Sequence, residues 1–282
     1  MTAEELYRQL KTRFEETENG FSDLRTIIKS VLKFSETDYL LGKNCEIAAE
    51  QEEAILQMAE KRLSGIPVQY IIGEWDFYGN VFKVNENVLI PRPETEILCE
   101  YAIECLAGKK KPVVADLCAG SGCIGITVKD NIPDADVVLV EKSPMAAEVC
   151  RENIKNILGE DSAILKNGDI FYPEELMPLP VFDMIISNPP YIKSSEIAEL
   201  QSEVQLEPRM ALDGGEDGLI FYRLLAEKWT EYLADDGMFA FECGEDQAED
   251  IKKMLVAENF DVYFVKDYNN IDRFVIGKRC RI

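Results

Sequence analysis

The chain contains no histidine at all. Histidine is the usual general base and metal ligand near neutral pH, so its absence removes Ser-His and Cys-His nucleophilic sites and His-ligated metals from consideration. Positive charge is scarce too: 30 Lys and Arg face 53 Asp and Glu, a formal charge of -23. Contact with bare phosphate backbones needs clustered cations, so no direct nucleic-acid partner is expected. None of the eight cysteines forms a Cys-x-x-Cys pair, so neither a zinc ribbon nor a redox dithiol is indicated and no metal is expected. No apolar run approaches the length of a membrane span, and Met1 to Leu10 carry charges throughout with no apolar signal core. Free cysteines inside apolar runs fit a reducing cytoplasm, with no membrane partner.

What is present divides into three stretches. With 282 residues, 46% of them apolar, the chain can bury a large core with an appendage. From residue 1 to 64 the periodicity is helical: Leu6, Leu10 and Phe14 share a face, and Leu24, Ile27, Ile28, Val31 and Leu32 form a second stripe behind a cap at Ser22 or Asp23. Ile55, Met58, Ala59 and Leu63 form another. Gly42, Lys43 and Asn44 are expected to break the helices between the second and third stripes. Residues 65–90 change to period two, and strands are expected at 70–73, 75–78, 81–84 and 88–90, a β-hairpin linker. Residues 91–282 then alternate strand and helix, the signature of a doubly wound, mostly parallel α/β sheet. Its last two strands, Val262 to Val265 and Arg273 to Ile276, are close enough in sequence to pair antiparallel.

One strand of that sheet organises the reading. The apolar run in Phe182 to Ser187 stops at Asn188-Pro189-Pro190-Tyr191, because prolines cannot donate ladder hydrogen bonds. Asn188 therefore sits at a carboxyl strand edge, where open α/β sheets bind ligands. Its amide oxygen and the Pro189 carbonyl are two fixed acceptors that suit an NH2 group, and Tyr191 offers a flat ring for a planar substrate.

Three earlier strand ends also carry acids. Asp116-Leu117-Cys118-Ala119-Gly120-Ser121-Gly122 follows the first strand of the alternating region, and Gly120, Gly122 and Gly125 satisfy G-x-G-x-x-G. Dinucleotide enzymes, S-adenosylmethionine (SAM) enzymes and structural turns all use that pattern. A carboxylate at Asp116 would oppose a pyrophosphate but suits an ammonium and a sulfonium, which favours SAM over NAD. Glu141, closing the next strand, can accept both ribose hydroxyls. Asp169 is placed to take an adenine amino group, with Ile170 over the ring face.

With these residues in view, the chain resembles class I SAM-dependent methyltransferases carrying Asn-Pro-Pro-Tyr. In particular it is similar to the glutamine N5-methyltransferases of peptide chain release factors. Pro91-Arg92-Pro93-Glu94-Thr95-Glu96, Glu207-Pro208, Ala211-Leu212, Gly214-Gly215 and Asp217-Gly218 match further family stretches. The resemblance implies a seven-stranded Rossmann-like domain, SAM as donor, and as acceptor the Gly-Gly-Gln glutamine of class 1 release factors. It implies Asn188, Pro189, Pro190 and Tyr191 at the acceptor. Asp116, Cys118, Ala119, Gly120, Ser121, Gly122, Glu141, Asp169, Ile170 and Asn188 would lie around the cofactor. Residues 1–64 are expected to dock the protein substrate. The rival chemistry is a nucleic-acid base amino methyltransferase, which expects a basic groove. Two departures stand out. Cys118 replaces a residue more often Gly, from which a negative φ at Cys118 is expected; Ile170 replaces a common aromatic, so adenine is expected against an aliphatic side chain.

Overall fold

The computed structural model describes residues 1–42 and 44–280, and the chain splits into two compact units, Met1–Glu74 with Ser202–Leu206, and Trp75–Gln201 with Glu207–Ile282. The first unit is helical: α1 (Ala3–Lys11), α2 (Gly20–Leu32), α3 (Glu36–Gly42), α4 (Ala49–Leu63) and α5 (Val68–Ile72). Thr2 and Glu5 close a capping box on α1, satisfying two backbone donors that the helix start would leave unpaired. Helix α2 begins earlier than its sequence cap signals imply, after a left-handed Asn19, so Asp23 lies inside the helix and is buried. Asp23 is there because Arg62 of α4 needs it. The Arg62 guanidinium, 2% exposed, donates to Asp23 at 2.7 Å, to the Glu18 carbonyl at 3.1 Å and to Glu203. A buried cation so paired is held in one place, and Glu203 draws the Ser202–Leu206 excursion into the bundle. Helix α3 ends at Gly42 as expected; Lys43 lies outside the described residues.

Two expected strands are absent. Residues 68–72 form α5, entered through Pro67 and ended by Gly73 at φ 82; a short β-branched run cannot by itself choose between the two periods. Around Val88 to Ile90 no ladder forms, because the Ile90 N–H goes to the Glu207 side chain at 3.0 Å and Pro91 has no donor. The hairpin itself is present as β1 (Glu74–Phe77) and β2 (Asn80–Lys83), turned by Tyr78 and Gly79.

The second unit carries α6 (Pro93–Leu106), β3 (Val113–Leu117), α7 (Cys123–Asn131), β4 (Asp136–Glu141), α8 (Pro144–Asn153), β5 (Ile164–Asn167) and β6 (Phe182–Ser187). Then come α9 (Arg209–Leu212), α10 (Ile220–Leu224), β7 (Leu233–Glu242), α11 (Ala248–Ala257), β8 (Phe260–Lys266) and β9 (Asp272–Arg279). Seven strands form one sheet in the order β5-β4-β3-β6-β7-β9-β8, parallel up to β7 and antiparallel through β9 and β8. Both faces are covered by apolar clusters, one around Leu117, Ile185, Trp229 and Phe241, the other around Val114, Leu139, Ile186 and Leu98. Burial on both faces is why the central strands read as continuous apolar runs. The strand order switches from one side of β3 to the other between β3 and β6, which stay parallel, and that switch point opens a crevice at the strand tips. Among the described residues, no helix is long and apolar enough to cross a membrane.

Candidate active site

Strand register brings the tips together. Leu117 stands beside Val140 on one side and Ser187 on the other, and Glu141 beside Asn167, so the residues that follow each strand meet along one edge. They border a cavity of about 340 Å³, in the range of small-molecule clefts. Of the residues singled out by sequence, Cys118, Ala119, Gly120, Ser121, Glu141, Asp169, Ile170, Asn188 and Pro190 line it; Asp116, Gly122, Pro189 and Tyr191 do not.

Glu141 is 8% exposed, and its carboxylate takes the Gly120 N–H at 2.8 Å on one oxygen and the Ser143 N–H at 2.7 Å on the other. Burial pushes its pKa up, against the pull of those N–H donors. Each oxygen keeps a lone pair for a further donor, as a vicinal diol would provide. Asp169 holds the Phe171 N–H at 3.0 Å and the Lys142 ammonium at 2.8 Å. Ile170 is 4% exposed and its carbonyl accepts from the Trp229 indole at 3.0 Å, which anchors this wall to the core.

Asp116 requires a correction. It is wholly buried behind the glycine loop, where one carboxylate oxygen takes the Gly125 N–H at 2.8 Å and the other has no hydrogen-bond partner. A Cβ on Gly125 would sit 3.0 Å from that carboxylate, so the glycine is what lets loop and strand approach. Desolvation raises the Asp116 pKa to about 7. The geometry gives Asp116 the shape of the loop, not a contact with a cationic ligand in the cavity.

Cys118 is the second correction. Its φ is +62, left-handed, where a negative value was expected. The turn after β3 must swing the Ala119 N–H onto the Val140 carbonyl at 3.0 Å, and that demand overrides a side-chain penalty of roughly 1–2 kcal/mol. Packing of the half-buried thiol against the core helps to offset it. Tyr191 is the third. It packs against the core rather than the cavity, its carbonyl held by the Gln247 side chain at 2.8 Å, and burial drives its hydroxyl pKa upward.

Several cavity residues carried no sequence argument of their own. Arg92 and Pro208 both line the cavity, and Glu207, next to Pro208 in the chain, accepts from both the Arg92 guanidinium and the Ile90 N–H, which ties these two stretches of the lining together. Thr95 also lines the cavity, and its hydroxyl lies 2.7 Å from the Glu242 carboxylate, at the tip of β7. Asn188 donates its amide nitrogen to the same hydroxyl at 3.4 Å. The signal for Glu242 was available: an acid closing Met238-Phe239-Ala240-Phe241 is another charged strand tip.

Comparison with known proteins agrees in both units. The family model described as the PrmC N-terminal domain matches residues 5–73, and that of the methyltransferase small domain matches residues 95–215. The release factor glutamine methyltransferase of Thermodesulfovibrio yellowstonii is 39% identical over 277 residues, covering 95% of this chain and 98% of that protein. The protein of the same name from Aquifex aeolicus is 37% identical, covering 91% of this chain and 90% of its own length. Among solved structures, a methyltransferase from Pyrococcus furiosus shares the fold with a TM-score of 0.52 at 17% identity, over 72% of this chain and 90% of that one.

Proposed function

The chain belongs to the release factor glutamine methyltransferases, and from that premise we propose that it moves a methyl group from SAM to the side-chain nitrogen of the Gly-Gly-Gln glutamine in class 1 release factors. The observation that carries the proposal is the placement of Asn188: an amide fixed at the tip of β6, on the wall of the cavity that Glu141 and the Gly120 loop also border. SAM fits that cavity. Glu141 has oxygen lone pairs to spare for ribose hydroxyls, Asp169 stands by for an adenine amino group, and a Cβ built on Gly120 would meet nothing within 4 Å, so the loop leaves open space beside it. When bound, SAM supplies an electrophilic methyl group on a positively charged sulfur.

A carboxamide nitrogen is a weak nucleophile because its lone pair is delocalised into the carbonyl. The Asn188 side-chain oxygen, on the cavity wall, and the Pro189 carbonyl, beside the cavity and not part of its lining, accept its two hydrogens, fix its plane and leave the lone pair free to attack. As nitrogen gains positive charge, both acceptors bind it more strongly than they bind the ground state. The proton then leaves to water. Residues 1–64 dock the folded substrate, and the reaction takes place in the cytoplasm.

The test is peptide mass spectrometry of an unmodified class 1 release factor after incubation with the protein and SAM. The expected result is one added methyl on the Gly-Gly-Gln glutamine, with Asn188→Ala slower by ~100-fold or more, as for loss of one preorganised polar group. Calorimetric SAM binding without methylation would defeat the acceptor assignment and turn the search to base amino groups.

A further inference from the structure

The buried side chains beside Asn188 form a one-way chain of hydrogen bonds. Thr95 and Glu242 are each 2% exposed; the Thr95 hydroxyl donates to Glu242 at 2.7 Å, and the Asn188 amide nitrogen donates to the Thr95 oxygen at 3.4 Å. A hydroxyl has a single proton. With Glu242 ionised, that proton is committed to the carboxylate, Thr95 shows Asn188 only a lone pair, and only the NH2 end of the amide can face it. The amide oxygen must then point the other way.

We propose that Thr95 and Glu242 are positioning residues that set the orientation of the Asn188 amide, so that it offers an acceptor and not a donor to the substrate NH2. The inference rests on the methyl-transfer reading above and adds two residues to it. Asparagine alone does not choose between its two ends, because amide nitrogen and oxygen are nearly the same size. Strand geometry places Asn188; it does not orient the amide. A turned amide would set NH2 against NH2 at the acceptor, where two donors meet and neither is satisfied. The elements involved are rigid: Thr95 lies in the first turn of α6, Glu242 closes β7, and Asn188 follows β6, the neighbour of β7 in the sheet. Glu242 is further tied down at its backbone, where its carbonyl accepts the buried Tyr222 hydroxyl at 2.7 Å.

The experiment measures kcat, KM for an unmodified release factor and the SAM Kd for the wild type, Thr95→Val, Thr95→Ser, Glu242→Leu and the Thr95→Val/Glu242→Leu pair. In Thr95→Val the amide nitrogen loses its acceptor, and kcat is expected to fall about tenfold or more, with SAM Kd within about threefold of normal. Thr95→Ser, which keeps the hydroxyl, should recover most of that loss. Glu242→Leu frees the Thr95 proton to turn towards Asn188, so kcat falls there as well. Because both act through one amide, the pair should be no slower than the worse single variant. Full activity in Thr95→Val, no recovery in Thr95→Ser, or losses that multiply in the pair would each overturn the relay. A wild type that does not methylate the release factor would overturn the reaction instead, which keeps the two failures distinct.

Discussion

Gly120 and Gly122 lie two residues apart in one loop, both with positive φ, yet alanine at each should do different damage. Gly120 has φ +55, and an added Cβ would meet nothing within 4 Å. Its cost to folding is backbone strain alone, about 1 kcal/mol. Gly122 has φ +82, and its Cβ would lie 2.7 Å from the Cys150 sulfur and 2.9 Å from Ile126 Cδ1. Cys150 and Ile126 are both fully buried, so neither can swing aside, and overpacking adds about 2 kcal/mol to the same strain. Gly122→Ala should therefore lose about 3 kcal/mol. Both tryptophans, Trp75 and Trp229, lie in the sheet-bearing unit, so urea unfolding followed by their fluorescence reads that unit directly. Calorimetric titration with SAM should reverse the ranking. Gly120 lines the cavity and Gly122 does not, so Gly120→Ala should weaken binding by about tenfold or more while Gly122→Ala, well below its unfolding midpoint, binds more nearly as the wild type does. Equal destabilisation of the two variants, or the same ranking in both assays, would refute this reading of the loop.

For Glu141→Ala, the main effect should be weaker SAM binding in calorimetry, with a smaller change in kcat at saturating SAM; an unchanged Kd would reassign the residue. Asp116 and Glu242 are each raised to about 7 by burial, so between roughly pH 4 and 7 the folded protein holds protons that the unfolded chain has released. Stability should fall as pH rises through that window and level off above it, by on the order of 3–4 kcal/mol per group, and urea midpoints at pH 5 and 8 would check the direction. A higher midpoint at pH 8 would show that other groups outweigh these two. In the helical unit Leu41 is 81% exposed and its neighbour Leu40 60%, on α3. If this unit docks the release factor through that face, Leu41→Glu should raise KM for the intact factor several-fold while leaving turnover of a short Gly-Gly-Gln peptide unchanged; equal KM values would place docking elsewhere.

The sheet was legible because its signals are local. Continuous apolar runs, short connections and the Pro189-Pro190 stop each belong to a few adjacent residues, and parallel pairing follows from their alternation with helices. The acids at the tips of β3 and β4 could be found in the same way. Their directions could not. Asp116 and Glu141 both end in carboxylates at neighbouring strands, and they differ by where the chain goes next: one turns its side chain beneath the glycine loop, the other towards the cavity. Tyr191 shows the same limit, since a ring beside a motif reads as a ligand contact until it is seen packed against the core cluster.

Cys118 went astray for a different reason. The expectation of negative φ came from the residue, whereas the requirement comes from a partner 22 positions away, the Val140 carbonyl that must receive the Ala119 N–H. Local preference of roughly 1–2 kcal/mol lost to a backbone hydrogen bond that joins two strand tips, since a buried N–H left unpaired costs a similar or larger amount. The Thr95, Glu242 and Asn188 chain has the same character over longer range. Its members are separated by 93 and 147 residues, and each taken singly has an ordinary explanation: a helix first-turn threonine, a strand-end acid, a turn asparagine. Only their convergence gives the amide a direction, and direction is what the proposed acceptor chemistry needs from it.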